Sequence, residues 1–425
     1  MRSSRHQLCE HHDLHLLLLE QSLLGVWGWY FGTSQLATHH ASYRNEQRTV
    51  PCKPIWGAVA HGGRAIAALA IAESLVLARF EQYEEHLNNK KHIDPMRWKK
   101  YSSSGAVTMY IERKKANPES KLPELVMVGA LPGSLHDNMF GLTCPTIDSM
   151  RIKSSYLNDI SAAAVIATIV EPTVDEPFRS VVVKWMEIDI PGASIGLVRN
   201  RDYVYLENTG ILQLKNGQEV GYHLLHSVSF LQVHELPNRV RGNMSLCAIF
   251  HQEGPDKTDC RGLGVMDPGG DMIRVVAVMG MVQATMAGLK YSYCGQMKKL
   301  AWLLEQKHAE FRRKGVPETG SECVTCSKHI KASRFGKSSS SCKLCFGALC
   351  GSCKVSKKLT FIAPDLELSQ RKVSFCVKCL LEATKMDTLE AARQQLLGKD
   401  SVQMNAYRGI YLNSEVSSSS DSTAV

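Results

Sequence analysis

Four Cys-x2-Cys pairs between residues 323 and 379 constrain this chain more than any other feature. Fifteen, four and twenty-two residues separate successive pairs. Two intervening residues allow both sulfur atoms of a pair to reach one tetrahedral metal ion, so four pairs predict two closed zinc sites. The eight predicted thiolate ligands are Cys323, Cys326, Cys342, Cys345, Cys350, Cys353, Cys376 and Cys379.

The spacing of the pairs also predicts how they combine. The gap of four residues between the second and third pairs is too short for both to bind one ion comfortably. We therefore expect pairs one and three to share one zinc ion and pairs two and four to share the other, in a cross-brace. A catalytic zinc ion needs an open coordination position, which eight thiolates do not leave. Both zinc ions are thus predicted to be structural.

Composition places the cysteine-rich segment in an ordinary globular chain. Of the 425 residues, 44% are hydrophobic and 21% charged, which suits two or three domains. The apolar stretch Leu14–Tyr30 is interrupted by His15 and Glu20, so we expect no membrane span. Acidic Glu10 and Asp13 precede this stretch and no clean small-residue cleavage site follows it, so we expect no signal peptide. The expected compartment is the reducing cytoplasm. Six further cysteines are predicted to be buried small hydrophobes: Cys9, Cys52, Cys144, Cys247, Cys260 and Cys294.

Positive charge is concentrated around the cysteine pairs. Residues 317–384 contain eleven Lys and Arg against five Asp and Glu, within a chain of net charge +9. Such a module suits phosphate groups, although an ordinary solvated surface explains the charge as well. We expect weak attraction to anionic membranes and no nucleic-acid partner. The candidate contacts to a headgroup phosphate are Lys343, Lys354, Lys357 and Lys358.

The region before the cysteines changes its hydrophobic period along the chain. Ala65–His86 predicts a helix, and the alternation between about Trp98 and Asp267 predicts a curved antiparallel sheet. Asn-Gly within residues 215–218 predicts a hairpin turn. Two segments that are apolar on both sides predict strands covered on two faces: Ala163–Val170 and Val181–Ile190.

After a turn at residues 267–270, the hydrophobic period becomes helical. Apolar residues recur every three or four positions over Val275–Leu304, which predicts one long amphipathic helix. To bury its apolar stripe, this helix has to lie in the concave face of the sheet. Three glycines inside it, each unfavourable for a helix, indicate either close packing or local mobility: Gly280, Gly288 and Gly295.

These features together resemble the START domain, a helix-grip fold that binds one lipid in a closed tunnel. The resemblance covers roughly residues 75–307. It implies a lipid partner beneath the last helix, with Val282, Met286 and Leu289 as candidate cavity walls. The segments that carry it are 201–206 (Arg-Asp-Tyr-Val-Tyr-Leu), 222–228 (Tyr-His-Leu-Leu-His-Ser-Val), the strand after Arg241, and 267–270 (Asp-Pro-Gly-Gly).

The cysteine module resembles a FYVE-type zinc finger, through its four pairs and the central block at residues 342–353. RING and PHD fingers fit less well, because they use a histidine at a ligand position that is cysteine here. FYVE fingers bind phosphatidylinositol 3-phosphate through three signatures. In their places this chain has Pro317–Glu322, Ser338–Ser341 and Ser374-Phe375-Cys376. The resemblance therefore implies the fold of the finger without its lipid specificity.

The predicted fold class is α+β, a START-like helix-grip domain joined to a small two-zinc cross-brace finger of the FYVE/PHD type. A short helix is expected over Leu380–Leu397. The predicted divisions are 1–60 (unassigned), 75–307 (START-like), 315–320 (linker), 321–384 (finger), 385–413 (short helix and linker) and 414–425 (disordered serine-rich tail).

The predicted function is non-enzymatic: a lipid carrier or peripheral membrane adaptor, in the cytoplasm or on endosomal membranes. Two alternatives remain open, a protein-interaction scaffold and a RING-like ubiquitin-pathway factor, each with a ligand-free START core. His223, His226 and Ser227 with Asp202 suggest a catalytic triad, but no nucleophile elbow accompanies them. We therefore expect no enzyme activity.

Overall fold

The computed structural model describes residues 62–113, 122–188, 198–230, 233–315, 317, 320–330, 340–363 and 367–398. The predictions for residues 1–60 and 414–425 lie outside these ranges. So do three of the six residues of the predicted 315–320 linker and the first two serines of Ser338–Ser341.

Ten strands form one large sheet at the centre of the molecule. Nine follow the order β1-β2-β3-β10-β9-β7-β6-β5-β4 with antiparallel pairing throughout, while β8 lies off this path and pairs with β6 in parallel. The predicted antiparallel sheet is confirmed. Its strands are β1 (Trp98–Ser104), β2 (Val107–Glu112), β3 (Leu125–Pro132), β4 (Ala162–Val170), β5 (Ser180–Ile188), β6 (Asn200–Gln213), β7 (Glu219–Ser227), β8 (Arg239–Arg241), β9 (Asn243–Gly254) and β10 (Lys257–Asp267).

Helices cover the sheet on both faces, and a second, two-stranded sheet lies in the cysteine module. This hairpin consists of β11 (Val355–Ile362) and β12 (Leu368–Phe375). The helices are α1 (Gly62–Asn88), α2 (Leu135–Leu142), α3 (Ile147–Leu157), α4 (Arg274–Ala287), α5 (Tyr291–Lys314), α6 (Val377–Lys385) and α7 (Thr388–Leu397). None of the helices described is both long and apolar enough to span a membrane.

Alternation along the strands supplies a hydrophobic core on each face of the large sheet. On β5, Val183 packs into the cluster that contains Ala72 and Tyr83 of α1. Met186 faces the opposite cluster, which contains Met281 of α4. Since successive strand residues point to opposite faces, this arrangement explains the continuous apolar runs. The prediction of a strand covered on two faces is confirmed for β5, whereas β4 packs mainly into the cluster that contains Ala72.

The predicted hairpin at residues 215–218 is present between β6 and β7. Gly217 has φ of 81°, a left-handed conformation that glycine adopts without a steric penalty. The backbone N–H of Leu214 donates to the carbonyl of Gln218 at 2.9 Å and closes the turn.

Two helices interrupt the region that the sequence pattern predicts as strands alone. Ser134 caps α2 by accepting from Asp137 N, and Thr146 forms a capping box with Ser149 at the start of α3. Asn158 ends α3 in a left-handed conformation. These caps are short polar signals, and a period-two scan over a long window does not register them.

The prediction of one continuous helix over Val275–Leu304 is wrong in detail. α4 ends at Ala287, a single 3₁₀ turn occupies Gly288–Lys290, and α5 continues to Lys314. A methyl group at Gly295 would lie 2.0 Å from the carbonyl oxygen of Asp137. Gly295 therefore serves close packing of α5 on α2, one of the two roles left open for the helix glycines.

The single short helix predicted over Leu380–Leu397 is also wrong, because two helices occupy this segment. Cys376 caps α6, with its sulfur accepting from Cys379 N, and Asp387 caps α7 by accepting from Leu389 N and Glu390 N. The second cap starts a new helix only two residues after Lys385, where α6 ends.

Candidate functional site

A cavity of about 920 Å³ lies between α4, the end of α3 and the concave face of the sheet. Its walls come from methionines and alanines of α4, from Ile188 and Tyr203 on the sheet, and from Leu157 and Ile160 at the end of α3. A volume of this size is at the upper end of the range for small-molecule sites. The lining is mostly apolar, which suits a hydrophobic ligand.

The structure brings two of the three predicted wall residues into this cavity. Met286 and Leu289 line it. Val282 does not: it is 5% exposed and packs in the core cluster with Met281. Val282 lies one helical turn before Met286 on the same side of α4, so it differs from Met286 in its position along the helix and not in direction.

A group of buried charges that the sequence analysis did not single out lies in the same core. Lys184 and Glu207 form an ion pair in which both side chains are fully buried. Lys153 lies 3.8 Å from Glu207 Oε1, and Nε2 of His223 donates to the same oxygen at 3.0 Å. The backbone carbonyl of Cys144 accepts from Lys184 at 2.6 Å. Charged residues within apolar strands are the only sequence signal for this group.

Asp159 connects the buried charges to the cavity. It lines the cavity, and its Oδ1 is buried without a hydrogen-bond partner among the described residues. Burial raises the pKa of this carboxyl group, and the charge of Lys153 only partly opposes the shift. Lys290 lines the cavity as well and donates to the carbonyl of Leu157 at 3.2 Å. One end of the apolar cavity therefore presents polar groups that can take hydrogen bonds.

α4 and its cap residue carry exposed apolar side chains, and two of them, Val276 and Met279, also line the cavity. Val275 is 65% exposed and Met279 46%, with Ile273 and Val276 exposed beside them. The N-terminus of α4 has no side-chain cap, since the cap position is Ile273. Only four residues of α4 are buried, Ala277, Val278, Met281 and Val282, and a helix with so few buried contacts opens at a lower free energy than a core helix.

His223 and His226, the two histidines of the suggested triad, contact different partners on opposite faces of β7. His223 is bound to Glu207, whereas His226 Nδ1 contacts Ser245 Oγ at 3.1 Å on the opposite face of β7. Asp202 accepts from Trp185 and Arg241 instead of a histidine. These residues do not assemble into a nucleophile, base and acid.

The cysteine sulfurs form the two sets that the spacing predicts. All sulfur atoms of a set lie within 4.8 Å of one another. Cys326 Sγ and Cys350 Sγ are 3.7 Å apart. Tetrahedral zinc with Zn–S bonds of about 2.3 Å separates its sulfur ligands by about 3.8 Å, so the donor set fits this ion. The sets are Cys323, Cys326, Cys350 and Cys353, and Cys342, Cys345, Cys376 and Cys379.

The first two cysteine pairs adopt the same local geometry. Ser327 and Phe346, each directly after the second cysteine of its pair, have φ of 56° and 61°. Their backbone N–H groups donate to the carbonyls of Cys323 and Cys342, both at 2.8 Å. The first two cysteine pairs therefore form two matching tight turns. The third pair completes the set of the first and the fourth pair that of the second, which is the cross-brace arrangement.

The four predicted phosphate contacts do not form a single face. Lys343, Lys354 and Lys358 are exposed, but Lys357 is half-buried and lines a cleft against α5. Lys357 and Lys358 are neighbours on β11, so they point to opposite sides of the hairpin. They cannot both contact one headgroup.

The finger is docked on the START-like part through a shared core. Leu359, Phe361 and Phe375 of the finger pack in one cluster with Tyr156 of α3 and Leu304 of α5. Thr360 N donates to Tyr156 Oη at 2.8 Å, and Gln370 Nε2 donates to the carbonyl of Ser155 at 3.0 Å. The β11–β12 hairpin of the cysteine module thus contacts α3, whose end lines the cavity.

A buried lysine fixes the helices that follow the finger. Lys299 of α5 is 1% exposed and donates to the carbonyl of Met386, to Thr388 Oγ1 and to Asp137 Oδ1, at 2.9, 2.8 and 3.2 Å. Thr388 also donates to Asp137 at 2.6 Å. The start of α7 is therefore held between α2 and α5.

Comparison with solved structures returns lipid-transfer proteins. Human StAR-related lipid transfer protein 5 is 16% identical, with 53% of this chain and 97% of that chain covered and a TM-score of 0.39. Human STARD10 is 14% identical, covering 50% of this chain and 80% of that chain, with a TM-score of 0.35. No protein-family model and no curated protein matches the chain. At these scores the likeness carries no conclusion about a ligand.

Proposed function

We propose that this protein is a non-enzymatic lipid carrier or peripheral membrane adaptor that holds one lipid beneath α4. The observation that carries this proposal is the cavity of about 920 Å³ between α4 and the concave sheet. Its mainly apolar walls suit hydrocarbon, because moving apolar surface out of water is favourable. The polar groups of Asp159 and Lys290 suit the headgroup or hydroxyl of the same ligand.

In this proposal α4 is the element that admits the lipid. It lacks an N-terminal side-chain cap and ends in the 3₁₀ turn at Gly288–Lys290, where few residues have to change conformation for the helix to swing. The exposed Val275 and Met279 would enter the interfacial region of a membrane during opening. The proposed place of action is the cytoplasmic face of a membrane, endosomal membranes included.

The two cysteine sets would hold zinc ions that act as structural cross-links. Each ion would replace the core that a segment of this size lacks. The exposed Lys343, Lys354 and Lys358 would add weak, salt-sensitive attraction to anionic lipids without selecting a phosphoinositide.

Filling the cavity tests the proposal. Ala284 lines it and lies partly buried against the core, so Ala284→Trp should displace the ligand. Ala70→Trp on the exposed side of α1 is the matched control. We expect lipid extraction and mass spectrometry to recover a lipid from wild type and control but not from Ala284→Trp. Equal lipid recovery from all three proteins would refute the proposal.

A second candidate function is a protein-interaction scaffold with a ligand-free core. The observation in its favour is a cleft of about 270 Å³ between α5 and α6, beside the exposed apolar side chains of Val377 and Leu381. Wild-type protein without lipid in the extraction experiment would favour this function.

A further inference from the structure

A second, polar cavity of about 440 Å³ lies on the other face of the sheet from the lipid cavity. It is bordered by the C-terminal half of α1, by residues of β1 and β10, and by Glu124, which directly precedes β3. Arg261 of β10 lines it and lies on the same face of the strand as Asp259, which accepts from Tyr83 of α1 at 2.8 Å. Cys260, between them, faces the inner core. The two cavities therefore lie on opposite faces of the sheet.

Three guanidinium groups converge on this second cavity, from three different elements. Arg79 comes from α1, Arg97 from the segment just before β1, and Arg261 from β10. His86, which is 8% exposed, and His92 add further nitrogen atoms to the lining. Its acidic residues are Glu85 and Glu124, so the arginines outnumber the carboxylates.

The three arginines differ in the ion pairs and hydrogen bonds that the protein provides for them. Glu124 pairs with Arg79 at 3.6 Å and with Arg97 at 3.2 Å, and Arg97 also contacts Glu112 at 3.2 Å. For Arg261, Nε is buried and has no hydrogen-bond partner among the described residues. Leaving a buried charged donor without an acceptor is costly, so such a group indicates a missing partner.

The lowered pKa values of two basic groups in this cavity fit a site that receives a negatively charged ligand. Burial lowers the pKa of Arg261, and the charges of Arg79 and Arg97 lower it further, against a smaller opposing effect of Glu124. Burial and the charge of Arg261 also lower the pKa of His86 to about 4. An anion bound between these groups would offset their mutual repulsion and favour their charged forms.

We propose that this cavity binds the phosphate group of a small phosphorylated ligand, with Arg261 as the principal donor. A phosphate offers three terminal oxygens to donors that arrive from three directions, and arginine binds phosphate through two parallel hydrogen bonds. The volume accommodates the phosphate and a small organic group attached to it. The polar lining distinguishes this cavity from the one proposed for lipid chains.

The test uses the full-length protein with zinc, in phosphate-free buffer. Inorganic phosphate and glycerol phosphate are titrated while thermal unfolding is followed, with matched chloride as the salt control. Both anions should raise the melting temperature of wild type. Arg261→Gln should need at least about tenfold more of either anion for the same rise. Arg179→Gln is the matched control, because Arg179 pairs with Glu73 away from the cavity.

Two further arms keep the result decisive. Arg97→Gln changes a side chain that is 48% exposed, so it should fold and should also weaken the response, even if Arg261→Gln is unstable. Sedimentation with phosphatidylcholine vesicles that contain phosphatidic acid distinguishes a lipid headgroup from a soluble phosphate. Dependence on Arg261 or Arg97 in either arm supports the site. No response in any arm, or an equal response in all variants, overturns it, whatever the outcome for lipid in the large cavity.

Discussion

Glu207 balances two lysines in the core of the START-like part. Burial alone would raise the pKa of Glu207, but the charges of Lys184 and Lys153 and the hydrogen bond from His223 hold it well below its ordinary value of 4.5. Because the folded-state pKa is the lower one, Glu207 stabilises the fold above about pH 4.5. This contribution is lost as the pH falls below that value towards the folded-state pKa.

Glu207→Gln should lower the free energy of unfolding at pH 7 by about 3–5 kcal/mol, because it leaves Lys184 buried without its counter-charge. Glu253→Gln, which breaks solvent-accessible pairs with Lys91 and Lys257, should cost about 1 kcal/mol or less. Urea unfolding measures both. A similar loss in the free energy of unfolding for the two variants would contradict a stabilising role of the buried pair.

Met286 should behave as a cavity residue. In a filled core, Met→Ala costs about 2–5 kcal/mol, which we expect for the fully buried Met139→Ala. Met286→Ala should cost less than this and change the amount of bound lipid, because Met286 is half-buried and lines the cavity. Urea unfolding and lipid extraction on both variants check this. An equal loss of stability with unchanged lipid would place Met286 in ordinary core.

At the scale of elements, local sequence signals predict those turns and ligand sets that are determined by residues close together in the chain. The Asn-Gly turn at residues 215–218 and the cysteine spacing are short-range features, and the structure has both the hairpin and the two cysteine sets. The caps Ser134 and Asp387 are equally local but leave no trace in the hydrophobic period, which explains why periodicity predicts neither α2 nor the separation of α6 from α7. Position-specific caps have to be read alongside periodicity.

Long-range contacts account for what the sequence could not show. The hydrogen bond from Thr360 N to Tyr156 Oη joins residues that meet only after folding. The same holds for the polar cavity, whose arginines are far apart in the chain. No period or spacing identifies such a group.

The cross-brace makes a specific prediction about zinc content. Cys326→Ser should reduce the bound zinc from two ions to one after mild chelation, because it removes one ligand of the first set and none of the second. Cys247→Ala, at a buried cysteine outside both sets, should retain two ions. Metal analysis of the folded proteins decides. Loss of both ions from Cys326→Ser would contradict two independent sites.

On the scale of the whole molecule, the finger and the START-like part are coupled through one core. The cluster that contains Cys323 and Cys342 also contains Tyr156, Leu300 and Leu304 of α3 and α5. Loss of the finger's fold would expose this face of both helices. We therefore expect loss of the cysteine sets to destabilise α3, whose end lines the proposed lipid cavity.

Removal of zinc with a chelator should raise amide hydrogen exchange in α3 and in the first half of α5 as well as in the finger. Exchange in β1 and β2 should stay unchanged, since these strands are outside the shared cluster. Hydrogen exchange with mass spectrometry resolves these segments. An increase confined to residues 320–385 would mean that the two parts are independent.

The central claim is that one chain combines a lipid cavity with two metal sites. Native mass spectrometry of the full-length protein, purified gently from its own host, measures both at once. The cavity and the two cysteine sets predict a species that carries two zinc ions and one lipid. A folded protein without lipid, and without lipid uptake from vesicles, would contradict the account.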